Sequence, residues 1–441
     1  KSSNETIWVA TDKGLAKFNE KDETFTTYKN NTYDRNSLID DDIYTIIEDK
    51  SGLIWVGTYL GISIFDPNND IKHYKRNPFD NNSLSENAIH GIYEDEDGLL
   101  WIGTNSKGVN ILNRETNEIS HLNRETTNYL FSNDCINDIT GKGNEIYVAT
   151  NNGVNKINKK ENKITVYNKE DGVCADNTRS LFLDSKGYLW IGTSDGVSIL
   201  NTKTDEIEDI TGEIKDFEIE KLYAKIIYED SQGIYWIGCF VDGGLIRLDP
   251  YNKSIKKYEN KPKDKTTVSS NTIRSISEDN DGNLWIGTSY GLNKFNKESE
   301  TFTRYTTLDG LSNNTIYSIL VDESNNLWLS NNKGISKFDV KNNVFENFSI
   351  TDGLQSNEFN GNAAYKNDKG EFFFGGINGL NIFNPSQVSK KKYTPNVVFD
   401  DFEVNGKHYN NINGMKFKHN ENFLNINVFL PDYSNVENVQ Y

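Results

Sequence analysis

The chain has 441 residues, of which 35% are hydrophobic and 12% aromatic, and its formal net charge is −18. This charge argues against binding to nucleic acid or to an anionic membrane surface, because both are polyanions that would repel the chain. No apolar run approaches the roughly 18 residues of a membrane-spanning helix. Frequent aromatic residues and 33 glycines favour many short strands joined by tight turns, and therefore an all-β fold.

The first residues, from Lys1 to Asn4, resemble neither a signal peptide nor a start with an initiator methionine, so we expect a portion of a longer protein. The three cysteines, Cys135, Cys174 and Cys239, are odd in number and widely separated. This spacing predicts neither a disulfide framework nor a thiolate zinc site, and the three side chains are expected to be buried.

One motif recurs along the chain: an aromatic residue, then Val or Ile, Gly or Ala, and Thr, followed by a short polar loop and Gly-apolar. Successive copies are 43 to 49 residues apart, and all seven tryptophans occupy the first position of a copy. The nine copies begin at Trp8, Trp55, Trp101, Tyr147, Trp190, Trp236, Trp285, Trp328 and Phe373.

Each copy lies within four short segments of alternating polarity, which predict four strands, A to D, per repeat. The turn between A and B reads Asp-x-x-Gly-x-x-Trp, as at Asp95, Gly98 and Trp101. Four antiparallel strands with a period near 45 residues are typical of the blades of a β-propeller, whereas leucine-rich solenoids repeat every 20–29 residues. The sequence therefore predicts nine propeller blades.

The segment from Leu284 to Phe295, which reads LWIGTSYGLNKF, is the cleanest copy. It resembles the "regulator propeller" repeats of two-component sensor proteins, and this resemblance extends over residues 1–394. The segments 397–406 and 422–428 resemble the first strands of the small Ig-like sandwich called the Y_Y_Y domain, which we expect to begin within residues 395–441 and to be incomplete.

The resemblance implies a ligand-sensing ectodomain, on the extracellular or periplasmic face of a bacterial membrane protein whose output domain is a histidine kinase or, less often, a diguanylate cyclase. It implies a homodimer in the full-length, membrane-anchored protein. Because several members of this family respond to oligosaccharides, it also implies a small-molecule or oligosaccharide ligand. No enzymatic activity and no cofactor are expected in this region.

Members of the family commonly carry two seven-bladed propellers, and nine repeats fit neither seven nor fourteen. Copies three to nine can form a complete seven-bladed ring, with copies one and two belonging to another propeller. Alternatively, all nine blades close one wide ring. The first arrangement is favoured.

A polar residue recurs just before strand A, on the face where the D–A and B–C loops emerge. These residues can line the channel mouth and bind hydroxyl-rich ligands, or they can satisfy their own turns. They are Asp41, Asn87, Asp134, Asn177, Asn271, Asn314 and Asn357.

The repeat around Trp236 departs from this pattern, because Leu222 takes the polar position and the B–C loop is longer. Departures from a repeat are where a specific pocket would be built, although drift or a contact with a neighbouring propeller would also explain them. We predict a ligand site at Tyr223, Phe240 and Asp242, with Tyr290 of the next B–C loop as a stacking surface.

No catalytic or metal site is predicted. The five histidines show no ligand spacing, and His90 is interpreted as a packing residue within a strand A. The acidic segments 95–98 and 279–282 fall on the A–B turn rather than in a calcium loop. Two rival functions stay open: a glycosidase that uses paired carboxylates, and a scaffold that binds a protein partner.

Overall fold

The computed structural model describes residues 2, 5–20, 23–32, 37–67, 71–215, 222–241, 243–388, 397–409 and 413–430. The chain divides into two compact units, which are described separately below. One unit is Asp70–Val388, and the other comprises Lys1–Asn69 and Ser389–Tyr441.

The unit Asp70–Val388 contains seven four-stranded antiparallel sheets, numbered here as blades 1 to 7, with strand A innermost. Strands A to D of blades 1 to 3 are, in order, Ile89–Glu94, Leu99–Thr104, Val109–Asn113, Glu118–Leu122; Ile136–Lys142, Glu145–Thr150, Gly153–Asn158, Lys163–Tyr167; Thr178–Leu183, Tyr188–Thr193, Val197–Asn201 and Ile207–Asp209. Those of blades 4 to 6 are Ala224–Glu229, Tyr235–Cys239, Leu245–Asp249, Ser254–Tyr258; Ile273–Glu278, Leu284–Thr288, Gly291–Asn296, Thr301–Tyr305; Ser318–Val321, Leu327–Asn331, Gly334–Asp339 and Val344–Phe348.

Blade 7 joins the two ends of this unit and closes the ring. Its strands A to C are Phe359–Lys366, Phe372–Gly376 and Gly379–Phe383, and its strand D is Lys72–Tyr74. One apolar cluster contains side chains of both blade 1 and blade 7, so the last blade packs on the first. Seven repeats therefore form a complete propeller, and the alternative of a single nine-bladed ring is wrong.

The A–B turn, which reads Asp-x-x-Gly-x-x-Trp in most repeats, holds six of the seven indoles in place. In blade 5, Asp279 Oδ1 accepts from the backbone N–H groups of Asp281 and Asn283, while its Oδ2 accepts from Trp285 Nε1 at 2.8 Å. The same Nε1-to-carboxylate bond, at 2.8–3.0 Å, recurs in five further repeats. Those pairs are Trp55–Asp49, Trp101–Asp95, Trp190–Asp184, Trp236–Asp230 and Trp328–Asp322.

The motif glycine allows adjacent blades to approach each other closely. A Cβ on Gly103 of blade 1 would lie 2.4 Å from Ile136 Cγ2 of blade 2, and one on Gly238 of blade 4 would lie 2.6 Å from Ile273 Cγ2 of blade 5. Any larger residue at these positions would push neighbouring sheets apart. Packing between blades thus explains why the motif repeats.

The helices are short and lie in the connections of this unit. They are the α-helix Thr211–Lys215 and the 3₁₀ turns Lys169–Asp171, Ile350–Asp352 and Pro385–Gln387. No helix in the described part of the chain is long and apolar enough to cross a bilayer. The three cysteines are free thiols; Cys239 is buried, as expected, but Cys135 and Cys174 are only half-buried.

The second unit contains three three-stranded sheets. Their strands are Trp8–Thr11, Gly14–Asn19, Thr24–Tyr28; Ile43–Glu48, Ile54–Thr58, Ile62–Phe65; Val398–Val404, Lys407–Tyr409 and Leu424–Phe429. The first two sheets contain the motifs at Trp8 and Trp55. The fourth segment of the Trp55 repeat, Lys72–Tyr74, is strand D of blade 7, which explains why its own sheet has three strands.

Candidate ligand-binding site

In blades 1, 2, 3, 5, 6 and 7, the D–A loop is hydrogen-bonded to the B–C loop of the preceding blade. Gly108 N–H donates to the carbonyl of Asp134 at 2.9 Å, and Gly244 N–H donates to the carbonyl of Asn271 at 2.9 Å. The two kinds of loop therefore lie on one face of the ring, which we call the D–A face.

The recurring polar side chains on this face bind their own loops. One side-chain oxygen of each accepts from a backbone N–H that follows strand D. These bonds are Asn87–Arg76 (2.7 Å), Asp134–Arg124 (2.7 Å), Asn271–Asn260 (2.6 Å), Asn314–Thr307 (2.8 Å), Asn357–Ile350 (3.4 Å) and, in the second unit, Asp41–Asn30 (2.5 Å). Each of these oxygens is therefore bound within its own turn, which is one of the two interpretations given above. A ligand-binding role for these residues stays a prediction.

Asn177 does not occupy the equivalent position in blade 3. Asp176 does, because its carboxylate accepts from Lys169 N–H at 2.8 Å and its carbonyl from Gly153 N–H at 2.6 Å. The equivalent position predicted from the repeat pattern was thus one residue too far along the chain. Asn177 lies one position closer to strand A, and its Oδ1 is buried without a hydrogen-bond partner among the described residues.

The structure brings together two of the residues predicted for blade 4. The rings of Tyr223 and Phe240 are 5.5 Å apart in an edge-to-face arrangement, and Phe240 N–H donates to the carbonyl of Tyr223 at 2.9 Å. Leu222 is buried beside them. Asp242 lies outside the described residues. Tyr290 is 68% exposed, and its ring stacks on neither aromatic residue in the described structure.

The polar residues inside the channel were not predicted from the sequence. A β-bulge follows the first residue of strand A in blades 1 to 5, and it leaves one residue outside the regular ladder. These bulge residues are His90, Asn137, Arg179, Lys225 and Arg274. A polar residue in second place along an otherwise apolar inner strand was the available signal.

The bulge residues of different blades act on one another across the channel. Burial, together with the charges of Lys225 in blade 4 and Arg179 in blade 3, lowers the pKa of His90 in blade 1 to about 4. These charges lie near enough to His90 to act on it. His90 lies within a strand A, as expected, and its interpretation as a packing residue stays a prediction.

A wall of alternating cations and rings extends from blade 3 to blade 6. The Arg179 guanidinium lies 5.6 Å from the Tyr223 ring, whereas the Arg274 guanidinium lies 5.2 Å from Phe240 and 5.1 Å from Tyr317. Cation–π contacts of this kind orient the guanidinium planes through the ring faces rather than through their N–H groups. Tyr223 and Phe240 thus connect the D–A face with the channel.

Lys225 and Asp138 place opposite charges in the channel wall, and each charge acts on the other group. Asp138 Oδ1 accepts from Ile139 N–H and its Oδ2 accepts from Leu181 N–H, both at 2.9 Å. Burial raises the pKa of Asp138 against these bonds and the charge of Lys225. Burial also lowers the pKa of Lys225, as do Arg179 and Arg274, against the charge of Asp138.

Blade 7 sends a longer bulge into the channel. Residues 360–363 have no ladder partner between Phe359 and Ala364. Asn362, at φ +65°, donates through Nδ2 to the carbonyls of Arg179 (3.1 Å) and Lys225 (3.5 Å). This loop therefore crosses the ring and confines the cations in a partly closed site.

The sequence matches the family described as "Two component regulator propeller" over residues 37–60, 83–106, 172–195, 267–290 and 310–333. These segments are two-component regulator propeller repeats. Each matched segment ends just after the motif, so the family is recognised through the D–A loop, strand A, the A–B turn and strand B.

Histidine kinase P4 of Formosa agariphila is 25% identical over 238 residues, which are 52% of this chain and 13% of that protein. The extracellular domain of the predicted hybrid two-component system BT3049 of B. thetaiotaomicron aligns with a TM-score of 0.73 at 23% identity, covering 99% of this chain and 64% of that one. The extracellular domain of BT4673 from the same organism aligns with a TM-score of 0.59 at 18% identity, covering 92% and 54%. The chain thus spans less than two thirds of each relative, and the structural similarity confirms the propeller fold.

Proposed function

We propose that this chain is the ligand-sensing part of an extracytoplasmic region that belongs to a membrane-anchored two-component sensor with a histidine kinase output. The observation that carries the proposal is the set of regulator propeller repeats, four of which lie in the seven-bladed ring. The similarity to a histidine kinase and to two extracellular sensor domains supports it.

The ligand is proposed to bind at the D–A face of blade 4 and in the channel beneath it. There the repeat pattern breaks, and the half-buried rings of Tyr223 and Phe240 meet fixed hydrogen-bond donors. An aromatic surface beside such donors suits a small molecule or an oligosaccharide, which presents both apolar ring faces and polar groups. The recurring Asn and Asp side chains would add acceptors around the mouth.

Signalling requires two arrangements of the receptor between which the ligand discriminates, since a ligand shifts an equilibrium only by its difference in affinity. The strands Val398–Val404 and Leu424–Phe429 follow the ring in the chain and would begin the Ig-like domain. We propose that ligand binding changes the placement of propeller and Ig-like domain within a homodimer. A diguanylate cyclase is the alternative output.

The channel geometry favours binding over glycoside hydrolysis. A glycosidase of the paired-carboxylate type needs two carboxyl groups about 5–10 Å apart, one of them free to attack or to accept a proton. In the described part of the channel, Asp138 is the acid among the bulge residues and their neighbours, and both its oxygens accept from backbone amides. We therefore propose a non-enzymatic role for this region.

The proposal is tested by a thermal-shift screen of the chain against neutral and acidic oligosaccharides and small metabolites. A ligand at 100 times its Kd adds about 2.7 kcal/mol of apparent stability. We expect Phe240→Ala to weaken the response at least tenfold, whereas Tyr251→Ala, which removes a 69%-exposed ring on the opposite side of blade 4, leaves it unchanged.

A hit is then applied to the full-length protein in membranes, and autophosphorylation is measured with wild type and Phe240→Ala. A ligand that binds through Phe240 and changes phosphorylation supports the sensor. A full-length protein without a signalling domain, or a propeller that binds only a protein partner, would contradict it.

A further inference from the structure

The side chains that converge in the channel are positively charged, although the protein carries a net charge of −18. Arg179, Lys225 and Arg274 come from the bulges of three consecutive blades. Among the described residues, no carboxylate oxygen lies within 4.0 Å of their side-chain nitrogens. The nearby Asp138 carboxylate is already held by two backbone amides.

Such a cluster is unfavourable while it is empty. The three cations are removed in part from water and repel one another, which costs free energy unless a counter-charge is present. The same repulsion disfavours the protonated forms of His90 and Lys225, and it contributes to the lowered pKa values of both groups. An anionic ligand would supply such a counter-charge.

The guanidinium groups are held in fixed orientations with donors to spare. Arg274 packs between Phe240 and Tyr317, and its Nε donates to Ser289 Oγ at 2.8 Å. Arg179 donates to Asn137 Oδ1 at 3.3 Å, yet its Nε is buried without a hydrogen-bond partner among the described residues. An unpaired buried donor is rare, and it marks a position where a ligand acceptor would be stabilised.

We propose that the channel of the seven-bladed ring binds the anionic group of a small ligand, a carboxylate or a sulfate, between Arg179, Lys225 and Arg274. The two guanidinium forks match the paired oxygens of either anion, and Lys225 contributes a point charge. Tyr223 and Phe240 flank the route from the D–A face and would contact the uncharged part of the ligand. This inference rests on the proposed function in one respect: it takes the anionic ligand to be the one that the receptor senses.

The test uses the whole chain with sodium succinate and sodium sulfate as probes, titrated against sodium chloride at matched ionic strength. We expect saturable binding of at least one probe by calorimetry, and the stronger one identifies the anion type. Arg274→Gln is expected to lower its affinity at least tenfold, which is about 1.4 kcal/mol. Lys265→Gln removes the same charge from an exposed loop and is expected to bind like wild type.

A second readout separates loss of the site from loss of the fold. Because Arg274→Gln reduces the repulsion on Lys225, the variant without anion is expected to unfold at no lower denaturant concentration than wild type. Arg179→Gln removes a charge that acts on His90, so the His90 pKa, followed by NMR, is expected to rise. Anion binding to wild type should raise it too.

Two results would overturn the inference: no saturable binding of either probe, or equal binding by Arg274→Gln and wild type. Sulfate also stabilises proteins by exclusion from their surface. The inference is therefore judged by the difference in sulfate binding between Arg274→Gln and wild type. A neutral ligand that activates the full-length kinase while both anions fail would overturn the anion site and leave the sensor. Anion binding without any effect on phosphorylation would leave the site and contradict the sensory role.

Discussion

At the scale of single residues, the bond between the turn aspartate and the motif tryptophan explains why both recur together. The carboxylate closes the A–B turn with one oxygen and satisfies the buried indole N–H with the other. A tryptophan that fills the space between blades is more stable there when its N–H finds an acceptor. Trp8, which has no such aspartate before it, keeps a buried Nε1 with no partner among the described residues.

Asp279→Ala is therefore expected to destabilise the protein by about 2–4 kcal/mol, because it leaves the Trp285 indole and two turn amides unpaired. Urea denaturation followed by tryptophan fluorescence measures the effect. Asp368→Ala, at an exposed position of the corresponding turn in blade 7, serves as the control and should change the unfolding free energy by less than about 0.5 kcal/mol. Equal effects of the two substitutions would contradict this account.

The structural role of residues that recur in the repeat could be predicted from the sequence, whereas the role of residues that lie on a β-bulge could not. The spacing of Trp, Gly and Asp predicted the A–B turn and the four-stranded blade around it. By contrast, Arg179 and Arg274 occupy second place in strand A, where the only signal was a polar residue in an otherwise apolar strand, and regular alternation does not predict a bulge. That these cations lie in blades 3 and 5 of one ring is evident only from the structure.

At the scale of elements, the ring is closed by a strand and by a set of ion pairs. Arg114 of blade 1 binds Glu371 of blade 7 through two bonds of 2.7 Å, and it binds Glu94 at 3.0 Å. Asn367 Nδ2 donates to both carboxylates. Blade 7, which lacks the Asp–Trp pair, thus has a polar link to blade 1 beside Phe373, 5.4 Å from the Arg114 guanidinium.

The link predicts a pH-dependent contribution to stability. Hydrogen bonds from Arg114 lower the pKa of Glu371. A carboxyl group with a lowered pKa stabilises the folded state above its unfolded pKa of about 4.3, and this contribution is lost as the pH falls through the folded value. Glu371→Gln is expected to cost about 1 kcal/mol at pH 7, since the pair is partly exposed and screened.

Urea denaturation of wild type and Glu371→Gln between pH 7 and pH 3 measures this contribution. The difference in unfolding free energy is expected to shrink towards zero below about pH 4, where the wild-type carboxylate becomes protonated. Glu161→Gln, at an exposed turn of blade 2, is the matched control and should differ little from wild type throughout. A difference for Glu371→Gln that stays constant down to pH 3 would show that its charge does not stabilise the closure.

The number of blades illustrates what a repeat pattern leaves open. Nine motifs were evident, and the favoured division into two and seven agrees with the structure, but the motifs themselves were compatible with a wider ring. The decisive element is Lys72–Tyr74, whose three residues follow the second motif and yet pair with Gly379–Phe383. A partner some 300 residues away in the chain leaves no local sequence signal.

At the scale of the whole molecule, the net charge of the protein and the charge of the proposed binding site have opposite signs. An acidic surface keeps polyanions such as nucleic acid and anionic membranes away, whereas the cations in the channel attract only an anion small enough to enter. Selection by size and charge would thus follow from where the charges lie rather than from the net charge. This is consistent with a receptor for a small ligand.

The seven-bladed ring is expected to fold without the second unit, because Asp70–Val388 contains both strands that close it and the apolar clusters between its blades. A protein consisting of residues 70–388 should elute as a monomer and unfold in one cooperative urea transition. A protein of residues 78–388 lacks Lys72–Tyr74, so Gly379–Phe383 becomes an exposed edge strand, and we expect aggregation or a lower transition midpoint. A protein of residues 60–388, which begins at a different residue but keeps Lys72–Tyr74, is the control and should behave like residues 70–388. If 78–388 proved as stable as 70–388, closure of the ring by this strand would not contribute to its stability.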